Sequence, residues 1–211
     1  MTDPRAPLPG IPPSLIDRVK NLLMTPKTEW AKIDGEPATV QGLFTGYVML
    51  LAAIPAIAMA LSLFLFVPRT VVVVPGVAVA TGISVTAIIA AALIQYVLSL
   101  VSVYVMGLII DALAPSFGST KDPLKAMKVA AYYPTAAWVA GILLVIPGIG
   151  ALGALVGAIY SLYLLFIGLP VLMRTPQDKQ VTYFVVTLVV AIVVIGIINT
   201  VGTRVAYGGY F

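Results

Sequence analysis

The sequence predicts an all-α fold: a polytopic integral membrane protein of five transmembrane helices with an N-terminal amphipathic helix. Three observations carry this prediction. The 211-residue chain is 61% hydrophobic, with a mean hydropathy of +1.08. Only 9% of its residues are charged, where a soluble domain carries roughly a quarter. Five apolar runs, at about 43–67, 82–110, 127–146, 149–173 and 182–203, are each long enough to cross roughly 30 Å of hydrocarbon at about 1.5 Å per residue.

Residues 1–13 read as a disordered, proline-rich tail. "MTDPRAPLPGIPPS" places five prolines in fourteen residues and lacks the apolar stretch of a signal peptide. Thr2 excludes N-myristoylation, and the C-terminal "YGGYF" carries no prenylation box. Residues 14–38 are expected to form interfacial helices. In "SLIDRVKNLL", Leu15, Ile16, Val19, Leu22 and Leu23 fall at helical spacing, with Asp17, Arg18, Lys20 and Asn21 opposite, and Ser14 with Asp17 makes an N-cap signature. A basic amphipathic helix just before a membrane span favours the lipid interface, the alternative being a helix packed on the protein's own loops. Thr25-Pro26 starts a second helix, "PKTEWAKI", in which Trp30 suits the headgroup level.

Residues 39–211 form the five-span membrane domain. The third run is the least apolar, because Lys128 confines its uncharged part to about 129–146. "IPGIG" (146–150) leaves room only for a tight turn, so runs three and four make a helical hairpin. The second run is longer than a span requires and is expected to tilt. "PRTVVVVPG" (68–76), bounded by prolines, reads as a loop lying on the membrane or folded over the bundle. Ten of the twelve Lys and Arg residues, and all eight acids, fall on one side of this topology. The positive-inside rule then predicts a cytoplasmic N-terminus and an external C-terminus. That asymmetry also accounts for the +4 charge and the pI near 9.3 without nucleic acid.

Several function classes are excluded. The chain has no cysteine and no histidine, which removes disulfides, Cys or His nucleophile chemistry and nearly all zinc and copper designs. No phosphate-binding glycine loop is present, since "PGIGALG" lies in a predicted turn with no strand before it and no lysine after it. No catalytic, cofactor-binding or metal-ligating residue is therefore expected, and the protein reads as a non-enzyme. No charge lies within the hydrocarbon depth of a span, which argues against a proton-coupled carrier. Polar and small residues instead form stripes. Ser84, Ala91, Gln95, Ser99, Ser102 and Met106 share a face of span two; Gly150, Gly153, Gly157, Ser161 and Gly168 one of span four; and Gly196, Asn199 and Thr203 one of span five. Close helix packing explains such stripes, with a substrate path along Gln95 and Asn199 as the alternative.

Five of the charged residues gather in "DALAPSFGSTKDPLKAMK" (111–128). Asp111 closes span two, where the helix macrodipole is negative and a carboxylate is disfavoured by about 0.3–1 kcal/mol. Compensation is expected from an ion pair with Lys125, Lys128 or Arg174, or from a cap on the following turn. Partner binding and ion handling are the other roles open to it.

Three stretches, "DALAPSFG" (111–118), "KVAAYYPTAAWVAGILLVIPGIG" (128–150) and "AIYSLYLLFIGLPVLM" (158–173), resemble the Yip1-domain family of five-span membrane proteins. The upstream 22–58 is similar to the bacterial form, and the resemblance covers about residues 14–200. It marks Asp111, Pro115, Phe117, Gly118 and Tyr132 as family-motif positions open to an interaction role. Asp111 and Pro115 match the ends of the Asp-Leu-Tyr-Gly-Pro motif, while Ala112, Leu113 and Ala114 depart from its middle. The Gly-Tyr motif of the next span corresponds to Ala131-Tyr132, and the proline usual at the position of Ala136 stands here as Pro134. The resemblance implies a role in membrane organisation. Eukaryotic members act in vesicle traffic and bind prenylated Rab GTPases, but the departures argue against a small GTPase here.

The expected function is thus non-enzymatic organisation of membrane proteins or lipids. The expected partners are the lipid bilayer and other membrane proteins, further copies of this chain in a homo-oligomer among them, with no cofactor and no nucleic acid. The alternative is a passive transporter, channel or lipid scramblase running along Gln95, Ser99, Ser102 and Asn199.

Overall fold

α1 (Leu15–Met24) starts at the expected cap: Ser14 Oγ accepts the Asp17 backbone N–H and donates to the Asp17 carboxylate at 2.7 Å. The computed structural model describes residues 14–67, 70–74, 77–82 and 84–207. The proline-rich tail, Arg69 and the end of "YGGYF" lie outside the described residues. Thr25 closes α1 and Pro26 opens α2 (Pro26–Gly35) at the first helical position, where its missing N–H removes no bond. The two short helices form a hairpin folded on the bundle.

Five helices long and apolar enough to cross a membrane follow: span one (Val40–Phe66), span two (Val85–Phe117), span three (Pro123–Val145), span four (Ile149–Met173) and span five (Gln180–Val201). They match the five apolar runs apart from a few residues at the ends, and span three is the least apolar of them, as expected. Large aliphatic side chains such as Leu50, Leu65, Leu93, Leu152, Val156 and Ile192 stand exposed around the bundle. An apolar belt of that extent belongs against lipid, and the chain is an integral membrane protein.

The connection from span one to span two differs from the expected loop. Thr70–Val74 (β1) pairs antiparallel with Val77–Thr81 (β2), Val74 opposite Val77 and Thr70 opposite Thr81. The Val and Thr residues that make the segment a poor helix favour a pleated strand. The prolines of this segment flag its non-helical character, and only the strand pairing went unread.

Span three is not one helix. It runs as Pro123–Tyr132, turns at Tyr133–Pro134, resumes at Thr135–Ala140 and tightens into a 3₁₀ turn over Gly141–Val145. Proline removes a helical donor and its ring crowds the preceding turn; Tyr133 keeps helical dihedrals and the departure falls at Pro134 itself, at ψ 4°. Backbone groups released inside a membrane must be satisfied by protein, and they are. Thr135 Oγ1 donates to the Tyr132 carbonyl at 2.6 Å and meets the Tyr47 hydroxyl at 2.8 Å, while Ser161 Oγ accepts the Ala137 N–H at 3.0 Å.

The glycine stripe of span four is the seat of this broken helix. A Cβ on Gly157 would fall 2.6 Å from Ala140 Cβ and 2.8 Å from the Ala136 carbonyl oxygen. The tight turn into span four rests on Gly148 at φ +83°. The best-buried core lies at the end that carries α1 and α2, where Leu22, Trp30 and Ile33 meet Val129, Ala130, Leu164, Leu165, Leu169 and Leu172.

Candidate functional site

Arg18 organises the charged end. It stands on the buried side of α1 and is only 4% exposed, so the polar face expected of a free amphipathic helix is interrupted. Its Nη1 donates to Glu29 Oε1 at 2.6 Å, its Nη2 pairs with Glu36 Oε2, and its guanidinium lies 5.5 Å from the Tyr132 ring centroid. That ring meets Tyr47 at 4.7 Å and Trp30 at 6.4 Å, both edge-on. Trp30 is fully buried rather than at a headgroup level, because the bare backbone of Gly168 lets its indole sit directly on span four.

Span three binds the same hairpin from beneath. Lys128 Nζ donates to the Ile33 carbonyl at 2.7 Å and the Glu36 carbonyl at 2.5 Å, capping the C-terminus of α2 where the dipole favours a cation. Lys125 pairs with Asp34 at 2.6 Å, and Arg174 reaches the other oxygen of that carboxylate at 3.6 Å. Tyr160 donates to the Leu23 carbonyl at 2.8 Å. Beside these groups lies a cavity of about 360 Å³ lined by Arg18, Glu36, Thr39, Tyr47, Lys128 and Tyr132 among others.

Among the described residues, none supplies the compensation expected of Asp111. Lys125, Lys128 and Arg174 all turn to α2 instead, and Asp111 Oδ1 is buried with no hydrogen-bond partner among the described residues. The cap on the following turn is made by backbone: Ser119 N–H bonds to the Ala114 carbonyl at 3.0 Å and Gly118 N–H to the Pro115 carbonyl at 3.2 Å. Gly118 takes φ +67° there. The turn docks on its neighbours, with Phe117 stacked on Tyr183 at 5.0 Å and Ser119 Oγ donating to Thr175 Oγ1 at 2.9 Å. The family-motif positions therefore divide. Asp111, Pro115, Phe117 and Gly118 belong to one turn, while Tyr132 belongs to the Arg18 cluster.

The polar residues of spans two and five converge. Gln95, Ser99, Ser102 and Asn199 line one cavity of about 190 Å³, joined there by Tyr133 and Trp138 from the break in span three. Ser99 and Ser102 donate to the Tyr96 and Leu98 carbonyls of their own helix, each at 2.7 Å, and Asn199 Nδ2 donates to the Ile195 carbonyl at 2.8 Å. Ser84, by contrast, caps span two, and Thr203 lies where side chains are outside the described residues.

Sequence reasoning missed Arg18, Glu29 and Glu36 as a group, although a signal existed. Arg18 is three residues after Leu15 and four before Leu22, on the apolar stripe itself, and Glu29 stands four before Ile33.

The family model described as Yip1 domain matches residues 20–198. No curated protein and no solved structure matches the chain. The matched range takes in α1 from its sixth residue, the broken span and most of span five, and so includes both polar clusters except for Arg18, before its start, and Asn199, just past its end.

Proposed function

Because the chain belongs to the Yip1 domain family of membrane proteins, we propose that it is a non-enzymatic organiser of membrane proteins and lipids that works through its charged end. One observation carries this reading. The α1–α2 hairpin is locked internally by the Arg18–Glu29 pair and clamped to spans three and four by Lys128, Lys125 and Tyr160, which gives a preorganised charged face rather than a loose tail. A preorganised surface loses less ordering entropy on binding. Its partners are the bilayer and other membrane proteins, copies of this chain included.

The charge asymmetry supports a cytoplasmic position for this end, and the similarity of residues 22–58 to the bacterial form of the domain supports a bacterial cytoplasmic membrane. The chain lacks cysteine, so single-Cys variants test this directly. Lys125→Cys and Lys179→Cys are expected to react only from the cytoplasm, and Arg69→Cys and Tyr210→Cys only from outside. Labelling of Lys179→Cys from outside would overturn the orientation.

The organising role is tested by photo-crosslinking in native membranes. Crosslinkers at Lys32 and Lys179, whose side chains are 60% and 56% exposed, are expected to capture discrete protein or lipid species. One at Leu152, on the opposite end, is expected to capture only bulk lipid. Identical products from both ends, together with solute flux through proteoliposomes of the purified chain, would replace this reading with transport.

A further inference from the structure

The cavity between spans two, three and five has features that close helix packing does not require. Its position is deep. The break at Tyr133 comes ten residues after Pro123, and Gln95 comes ten residues after Val85 at the opposite end of the bundle. At the helical rise each lies about 15 Å from its own end, half of a roughly 30 Å hydrocarbon core. Polar groups at that depth need partners. The Gln95 carboxamide, the Tyr133 hydroxyl and the Trp138 indole N–H make no hydrogen bond within the described residues.

We propose that this cavity holds the uncharged, hydroxyl- and carbonyl-bearing head of a membrane-dissolved lipid, of the diacylglycerol kind. The donors select the chemistry. Gln95, Tyr133 and Trp138 offer N–H and O–H groups with nothing to accept them, and a carbonyl or ester oxygen accepts them. Ser99 and Ser102 have already given their protons to helix carbonyls, so their oxygens remain free to accept from a lipid hydroxyl. No ionisable side chain among the described residues lines the cavity, apart from the neutral Tyr133 phenol. A phosphate or ammonium head would therefore enter without a counter-charge.

Size and access agree. About 190 Å³ is the room of roughly six waters at about 30 Å³ each, enough for a glycerol-sized head but not for a large polar solute. Gln95 is exposed at the edge of the cavity, on the flank that faces hydrocarbon, so entry is lateral from the bilayer. This inference is independent of the organising role at the charged end, and either can fail alone.

The test uses the full chain in phosphatidylcholine nanodiscs with a diazirine-bearing diacylglycerol. Labelling is expected in spans two and three near Gln95 and Trp138, saturable and displaced by unlabelled diacylglycerol. A diazirine-bearing phosphatidylglycerol is expected to label only the outer surface of the bundle. Gln95→Leu and Asn199→Leu are each expected to weaken capture by about fivefold or more, the scale of one hydrogen bond. Tyr133→Phe, which removes a single hydroxyl, carries the same test should either leucine variant fail to fold. Equal labelling by both lipids, unaffected by the substitutions, would overturn the proposal in favour of annular lipid. Glycerol permeation without saturable lipid capture would overturn it in favour of an aqueous solute, and no labelling at the cavity would leave water as its occupant.

Discussion

Arg18 and Asp111 are two charged residues at the same end of the bundle, and their surroundings are opposite. Arg18 is buried with a carboxylate at each side of its guanidinium and an aromatic face beneath it. Asp111 has an oxygen buried with no partner among the described residues. The cause is competition. Three cations within reach of that end, Lys125, Lys128 and Arg174, all engage the C-terminal part of α2, two through Asp34 and one through the Ile33 and Glu36 carbonyls. Asp111 also stands on the last turn of a helix, so the dipole does not separate the two sites; α2 holds the cations by presenting the Asp34 carboxylate together with the Ile33 and Glu36 carbonyls. The α1–α2 hairpin is thus an electrostatic clamp, and Asp111 is what the clamp leaves over.

The widest break in this comparison comes from Arg18→Met. Glu29 keeps a side chain only 1% exposed and loses its 2.6 Å partner. Breaking a buried pair from one side typically costs about 3–5 kcal/mol, so thermal unfolding in detergent should show a large loss. Arg18→Met with Glu29→Leu removes both charges and is expected to recover most of it. A single variant that melts within a degree of the parent would mean that the clamp does not hold the hairpin.

An apolar contact shares that task, and Gly168→Ala separates the two. The new Cβ would stand 2.7 and 2.8 Å from Trp30 Cζ2 and Cε2, inside van der Waals contact with a rigid ring. Overpacking of this kind costs about 1–3 kcal/mol. Trp30→Leu in the same background restores room and should return part of the stability. If Gly168→Ala proves as damaging as Arg18→Met, steric fit rather than charge pairing is the larger anchor of α2.

These residues also show where the sequence was legible. The spans, their hairpin and the cap at Ser14 follow from local signals: apolar length, a glycine in a short turn, a hydroxyl three residues before an acid. The stripe that includes Gly157 and Ser161 was legible as packing, because small residues at helical spacing have one common use. The meeting of Gln95, Ser99, Ser102 and Asn199 was foreseen only as a possibility of span alignment, and Tyr133 and Trp138 joined it because Pro134 breaks span three. The partners of Lys125 and Lys128 were not legible. They lie 91 to 95 residues away in sequence, and which acid wins a lysine depends on tertiary placement that no local pattern encodes. Asp111 was expected to draw one of these cations to offset the negative end of its helix, and all three engage α2 instead.

The smallest predicted effect decides what Asp111 is for. Its carboxylate faces the negative end of its own helix, a disfavour of about 0.3–1 kcal/mol, and no described residue bonds its buried oxygen. Asp111→Asn keeps the shape, removes the charge and supplies an N–H₂ that can donate to a carbonyl left open at the helix end. The variant is therefore expected to gain about 0.3–1 kcal/mol in detergent, opposite in sign to Arg18→Met. The same measurement in native-lipid nanodiscs sharpens the comparison. A gain in both media means that Asp111 is uncompensated in the folded protein. A gain in detergent that reverses to a loss in lipid means that a cation outside this chain, a lipid amine or a basic side chain of a neighbouring protein, completes the site. In that case the oxygen left over by the clamp would be the contact through which the Asp111 turn engages its surroundings, and Asp111→Asn would lose the crosslinks captured from that turn while keeping those from α2.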